Sequence, residues 1–280
     1  MRSCRRCWSS WSCCSRSRAI DARQGRPVKT RPLALDAALA ARRVRAEFGL
    51  ADQCDLHVEA LAEHLGLRIL YGPATTARGW IARVGRRAII HVDERVVGLP
   101  AARFTIAHEA GHFLLHPLED HLSQCADAPP KRGDAQYRME REANDFATEL
   151  LIPESLGAGY CAMARPTLHD VDRLGEAFGT SLEMSAIRMV QLSPAPCAVM
   201  LALQGRVKWA IETAAFPGRI ALGRTLHPES IAASMALDYP CADRAARVPG
   251  VAWEAPVALF EHSMSLHPRP AVLSWIIAAG

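Results

Sequence analysis

The sequence predicts an α+β protein, and three observations carry that prediction. Helical and extended runs come in blocks: two helical stretches, three short extended runs, then a series of helices. Two of those helical stretches, near residues 100–116 and 136–151, flank a polar loop marked by Pro129–Pro130 and Gly133. A second extended block starts only near Pro196, with the wholly apolar CAVMLAL. At 280 residues, half of them hydrophobic, the chain can bury a sizeable core in one large domain or two to three small ones.

The first 32 residues stand apart. They hold nine of the 33 Arg and Lys residues and one of the 29 acids, so the remainder carries a balance of −4 under a whole-chain charge of +4. That charge is therefore no argument for nucleic-acid binding. The segment lacks an apolar stretch ahead of a cleavage site and does not read as a secretory signal. It reads as a disordered basic tail rich in Cys, Arg and Ser, or as an over-extended start. Cys4 and Cys7 form a CxxC there, but the adjacent Cys13–Cys14 pair fits no common zinc spacing. Cys54, Cys125, Cys161, Cys197 and Cys241 are scattered singly, as expected of reduced thiols in a cytoplasm. No apolar run is long enough to span a membrane.

The elements follow in order. LALDAALAARRVRAE (33–47) has helical spacing, and DLHVEALAEHL (55–65) reads as a helix capped by Asp55 and stopped by Gly66. LRILY (67–71), GWIARV (79–84) and RAIIHV (87–92) read as strands. Pro100 opens a helix that Pro117 ends. Another helix covers about 136–151, and 154–166, with Gly157, Gly159 and Pro166, reads as a linker. Two short helices are expected within 167–192, with Ser181 capping the second. A hairpin turning at Gln204-Gly205 then opens a segment that runs to about 275. The expected organisation is a tail (1–32), a first domain (33–158), a helical segment (159–193) and an α+β C-terminal domain (194–280).

The chemistry lies in FTIAHEAGHFLLH (104–116). His108 and His112 are one helical turn apart on one face and can both offer a ring nitrogen to one metal ion. Glu109 projects about 100° away and can serve as a general base without occupying a coordination position. A third ligand is needed. The metzincin position is Leu118, so that pattern fails. His116 is too far along the same helix and reads as a C-terminal His favoured by the helix dipole. MEREANDFATELLIP (139–153) supplies a better candidate: Glu140, with Asn144 one turn on as a residue behind the ligands and small Ala143 and Ala147 to allow close helix approach. Glu142 is the alternative ligand; otherwise it and Glu149 read as surface charges. The set His108, His112 and Glu140 suits Zn2+, with Mn2+ an alternative. Tyr137, His169 and Arg103 are candidate oxyanion donors, and RAIIHV is a candidate edge for an extended substrate.

The pairing of RFTIAHEAGHFLLH with EREANDFATELLIP, 28 residues after His112, resembles the ImmA/IrrE family of metallo-endopeptidases. Glu140, Ala143, Asn144, Phe146, Ala147, Leu150, Leu151 and Pro153 match that family's second helix. The resemblance implies a zincin-like metallopeptidase domain with a small twisted sheet, a helix-turn-helix-like helical segment and a GAF-like sensor domain. It implies a cytoplasmic zinc endopeptidase, with His108, His112 and Glu140 as ligands and Glu109 as base. The implied substrate is a helix-turn-helix repressor, cleaved in a stress or mobile-element response. A small-molecule or signal ligand would bind the C-terminal domain. The rival is a DNA-binding or ligand-sensing regulator with a degenerate peptidase domain. Direct DNA binding is not expected, because the second of the two helices in 167–192 offers only Arg188 as a base.

Overall fold

The computed structural model describes residues 28–29, 33–73, 79–84, 87–116, 123–124, 135–238, 243–266 and 270–279. The CxxC at Cys4 and Cys7, most of the basic tail and most of the 118–135 loop lie outside these residues. The tail carries one surprise. Val28–Lys29 (β1) pair in parallel with Ile211 and Glu212, so an edge strand starts inside the stretch expected to be disordered.

Helix α1 (Leu35–Glu47) and the short α2 (Val58–His64) come first. Asp55 does not cap α2; its carboxylate accepts from Arg103 at 2.8 Å instead, a charged partner being the stronger bond. Strands β2 (Leu67–Gly72), β3 (Gly79–Val84) and β4 (Arg87–Asp93) form a sheet with Ser123–Gln124 (β5) in the order β2-β4-β3-β5. RAIIHV is therefore not an edge: β4 pairs in parallel with β2 and antiparallel with β3, so both of its hydrogen-bonding sides are occupied. His91 is a strand residue whose ring stacks on that of Trp80, with centroids 5.0 Å apart.

Ile81 and Ile90 on the inner face of that sheet are fully buried with Ile106 and Ala107 of α3 (Pro100–Leu115). Helix α4 (Ala135–Leu151) crosses α3 at two small residues. A Cβ at Gly111 would stand 3.1 Å from Ala143 Cα and 3.2 Å from the Ala143 carbonyl oxygen, so the helices meet backbone to backbone. The expected linker instead contains α5 (Glu154–Cys161). Gly157 is there for packing rather than for a turn, since a Cβ would lie 3.0 Å from both Ile152 and Leu192.

Helices α6 (Leu168–Phe178) and α7 (Leu182–Leu192) are joined at Gly179, which sits at a positive φ of 61°. Ser181 caps α7 through Met184 N–H, as its type and position predict. Nine of the eleven residues of α7 are buried. Among them, Arg188 pairs with the buried Glu149 and donates to the Ile152 carbonyl at 3.0 Å. Glu149 is thus no surface charge; it also accepts from Arg42 at 2.7 Å and joins α1, α4 and α7. A carboxylate with two guanidinium partners can be buried where a lone one could not.

Beyond α7 lies a six-stranded sheet in the order β1-β7-β6-β10-β9-β8, with β6 Cys197–Leu203, β7 Arg206–Glu212, β8 Arg244–Val248, β9 Leu259–Ser265 and β10 Ala271–Ala278. Gln204 and Gly205 take the two positive φ angles of a tight hairpin turn. The unbroken apolar run of β6 has a simple cause. Cys197, Val199 and Leu201 face the core shared with α7, while Ala198, Met200 and Ala202 face a second core with α8 (Ile231–Leu237) and Trp253. Burial on both faces removes the polar alternation. Cys161 and Cys197 are free buried thiols, pushed by burial to about 11 and about 12 respectively, and neither is poised as a nucleophile. Among the described residues no helix is long and apolar enough to cross a membrane.

Candidate metal centre

Helix α3 starts with Pro100 in its first turn, where a missing N–H costs nothing, and it ends at His116, whose backbone is extended ahead of Pro117. The straight run between them places His108 and His112 on one face. Their Nε2 atoms are 3.1 Å apart. The α3–α4 crossing then brings Glu140 to the same point. One carboxylate oxygen lies 3.4 Å from His108 Nε2 and the other 3.5 Å from His112 Nε2. The side chains of His108 and His112 are 2% and 1% exposed, and that of Glu140 is 14% exposed. Glu142 does not take this place; it meets His116 instead.

These spacings test whether a cation fits. Donors held at tetrahedral angles about 2.0–2.1 Å from one ion stand about 3.3 Å from each other. Separations of 3.1, 3.4 and 3.5 Å match that figure. His108, His112 and Glu140 could hold a metal ion, and they offer three protein ligands, which leaves a tetrahedral position open. The electrostatics agree. Burial alone would raise the Glu140 carboxyl, but its hydrogen bonds to His108 and His112 outweigh burial and hold it well below the usual carboxylate range.

Glu109 follows His108 on α3 and is 1% exposed. Gly79, the first residue of β3, lies directly over this turn. A Cβ there would be 2.3 Å from Thr105 Cγ2 and 3.6 Å from Glu109 Oε1. Asn144 is buried one turn beyond Glu140 on α4.

The residue read as an ordinary helix-end histidine is more deeply involved. His116 is 6% exposed, its Nδ1 lies 3.1 Å from His112 Nδ1, and its Nε2 lies 3.1 Å from a Glu142 carboxylate oxygen. Burial lowers the His116 pKa, with Glu142 opposing. Its spacing carried a signal: three histidines at i, i+4 and i+8 share one helix face. Two proposed oxyanion donors are engaged elsewhere. Arg103 is held by Asp55 and by the Phe178 carbonyl, and His169 pairs with Asp243. Tyr137 remains on α4, three residues before Glu140.

Among the described residues a second trio, His169, Asp243 and His262, could also gather round an ion. Its hydrogen bonds argue otherwise. The Leu168 N–H donates to His262 Nδ1 at 3.1 Å. In the neutral ring the proton must then sit on Nε2, where it is donated to Asp243 at 3.1 Å, and the lone pair a metal needs is absent.

Residues 62–190 match the family model described as Peptidase_M78, the IrrE N-terminal-like domain. This chain carries an IrrE N-terminal-like domain. The domain takes in the trio that could hold a metal ion, Glu109 and the buried helix α7, and the family is one of metallopeptidases. A comparison with curated protein sequences gave no match. Among solved structures, a Mycobacterium tuberculosis transcriptional regulator superposes with a TM-score of 0.58, covering 88% of this chain and 77% of that one at 17% identity. Likeness at that identity speaks for the fold alone. It extends past the IrrE N-terminal-like domain to the C-terminal sheet.

Proposed function

We propose that the chain is a zinc-dependent endopeptidase, with His108, His112 and Glu140 as metal ligands, Glu109 as general base and Asn144 as support behind the ligands. The observation that carries this reading is the convergence of two Nε2 atoms and two carboxylate oxygens from α3 and α4 at tetrahedral spacing, with a buried glutamate one residue from the first ligand. When bound, zinc supplies Lewis acidity to the attacking water and to the scissile carbonyl. Mn2+ could be held by the same donors. Glu109 accepts the proton of that water and passes it to the leaving amine. Gly79 lets β3 pack directly on the turn of α3 that carries Glu109, since a Cβ there would stand 2.3 Å from Thr105 Cγ2.

The regulatory side of the reading is narrower. A peptidase domain implies a protein substrate, and the motif pair favours a helix-turn-helix repressor cleaved in a cytoplasmic stress or mobile-element response, with a GAF-like sensor in the C-terminal sheet. The fold shared with a protein described as a transcriptional regulator agrees with that setting. The rival, DNA reading through the α6–α7 pair, has little support. Nine of the eleven α7 residues are buried, and Arg188, its one base, is committed to Glu149. No helix can enter a groove with its reading face packed in a core.

The test is Glu109→Gln in a protein assayed for zinc content and for cleavage of a co-encoded repressor. Zinc is expected to stay at the wild-type stoichiometry while cleavage falls about 10²–10⁴-fold. Undiminished cleavage by this variant overturns the proposal.

A further inference from the structure

The face of α3 that carries His108 and His112 continues for one more turn, and there the side chains form a line: Glu142, His116, His112. Each neutral imidazole has one N–H and one lone pair, so each contact in a line of this kind constrains the next. The Glu142 carboxylate can only accept. It therefore selects the His116 tautomer with its proton on Nε2. His116 Nδ1 is then a lone pair, 3.1 Å from His112 Nδ1. Only a proton on His112 Nδ1 makes that contact a hydrogen bond. With its proton there, His112 presents a bare lone pair at Nε2, the atom that lies 3.1 Å from His108 Nε2 and 3.5 Å from Glu140. Were Glu142 absent, His116 could exchange its Nε2 proton with solvent for one on Nδ1, and His112 would then have to accept at Nδ1 and carry its own proton on Nε2, blocking the ligand atom.

We propose that Glu142 and His116 are positioning residues which fix His112 as an Nε2 metal ligand, through a carboxylate–imidazole–imidazole chain reaching across from α4 to α3. The proposal rests on the reading of His108, His112 and Glu140 as a metal site and adds to it two residues that do not touch the metal. A histidine ligand whose far nitrogen is hydrogen-bonded is a general device for orienting the ring and raising its basicity. Here the partner is a second buried histidine, so the acid that sets the tautomer sits two rings from the ligand atom. Both ends of the chain are anchored by backbone: His116 by the last turn of α3 and Glu142 by the residue pair after Glu140 on α4. A shift of either helix end disturbs both the ligand Glu140 and the chain behind His112.

The experiment compares wild type, His116→Leu, His116→Gln and Glu142→Ala by two readouts. The first is zinc affinity, from competition with a chromophoric chelator. The second is the 15N chemical shift pattern of the histidine rings in metal-free protein, which reports which nitrogen holds the proton. Leucine removes the acceptor for His112 Nδ1–H, and zinc affinity is expected to fall about ten- to hundredfold. Glutamine can accept from His112 through its amide oxygen and donate to Glu142 through its amide nitrogen, so it should restore affinity to within a few-fold of wild type. Glu142→Ala, at a partly exposed position, should weaken binding in the same direction by less. It decides the matter by the same measurement if His116→Leu does not fold. In the metal-free wild type His112 should carry its proton on Nδ1 and His116 on Nε2. Equal affinities for the leucine and glutamine variants, or a His112 protonated on Nε2, would overturn the proposal. A wild-type protein that binds no zinc but shows the Nδ1-protonated His112 would overturn the metal-site reading, and with it the positioning role, while showing that the hydrogen-bonded Glu142–His116–His112 line exists.

Discussion

Among the described residues stand two groups of two histidines and one carboxylate, and they are built to opposite ends. In the first, His108 and His112 turn their Nε2 atoms toward each other, and the two Glu140 oxygens face one ring each. In the second, the Nε2 atoms of His169 and His262 both point at the same oxygen of Asp243, at 3.0 and 3.1 Å. The deciding difference lies on the far side of one ring. His112 Nδ1 faces another imidazole, whereas His262 Nδ1 accepts a backbone N–H from the start of α6. The first arrangement frees the near nitrogen for a cation, and the second fills it with a proton. The same residue types thus make a group that could hold a metal ion in one place and, in the other, a clasp joining α6 to the C-terminal sheet. Proximity of ligand-type residues alone does not distinguish the two.

The comparison can be broken most decisively by removing one carboxylate from each group. Glu140→Ala should lower zinc affinity by more than the ~100-fold that an outer partner is worth, because it deletes a ligand itself. Asp243→Asn should leave zinc stoichiometry and affinity unchanged. A loss of one equivalent of zinc from the Asp243→Asn protein, measured by metal analysis after dialysis, would make the second group a metal site after all.

A smaller effect should follow from changing only the approach of the helices. Gly111→Ala places a Cβ 3.1 Å from Ala143 Cα and 3.1 Å from Phe146 Cδ1. Helix α4 must retreat, taking Glu140 with it. The expected cost is about 1–3 kcal/mol in chemical denaturation, together with weaker zinc binding. Unchanged affinity would mean that Glu140 reaches the site independently of the crossing.

The smallest effect is the dependence on pH of the second group. Burial lowers the His262 pKa from its ordinary 6.5, with the Asp243 bond opposing. The unfolded chain therefore takes up this proton at a higher pH than the folded one. The stability contributed is full above about pH 6.5 and is lost as pH falls below it. His116 is lowered as well and adds to the same slope. His262→Gln keeps an acceptor for Leu168 N–H and a donor for Asp243 but cannot titrate. It should flatten part of the fall in urea midpoint of the metal-free protein between about pH 7 and pH 5, leaving the His116 share. An unflattened slope would show that burial does not hold His262 neutral in the fold.

Much of the fold could be read from local rules. Proline at the first turn of α3, the Ser181 cap of α7 and the Gln204-Gly205 turn each act over a few residues, and each appears where the rules place it. The misreadings share one cause. Gly157 looked like a linker residue because glycine breaks helices locally, yet Ile152 and Leu192 press on it from elsewhere in the chain. Glu149 looked like a surface charge because its partners, Arg42 and Arg188, are 107 and 39 residues away. Asp55 looked like a cap until Arg103 was found beside it.

The site divides along the same line. The i, i+4 spacing of His108 and His112, with Glu109 beside them, follows from helix geometry and belongs to the sequence alone, as does the choice of Glu140 from the face it shares with Asn144. The backbone-to-backbone crossing at Gly111 and Ala143 was needed to set Glu140 against both imidazoles. Only tertiary structure could show that His116 stands behind His112 with Glu142 behind it, or that His262 is held by Leu168. Helical periodicity says which side chains share a face. Which nitrogen of a histidine keeps its proton depends on partners that distant segments bring to hydrogen-bonding distance.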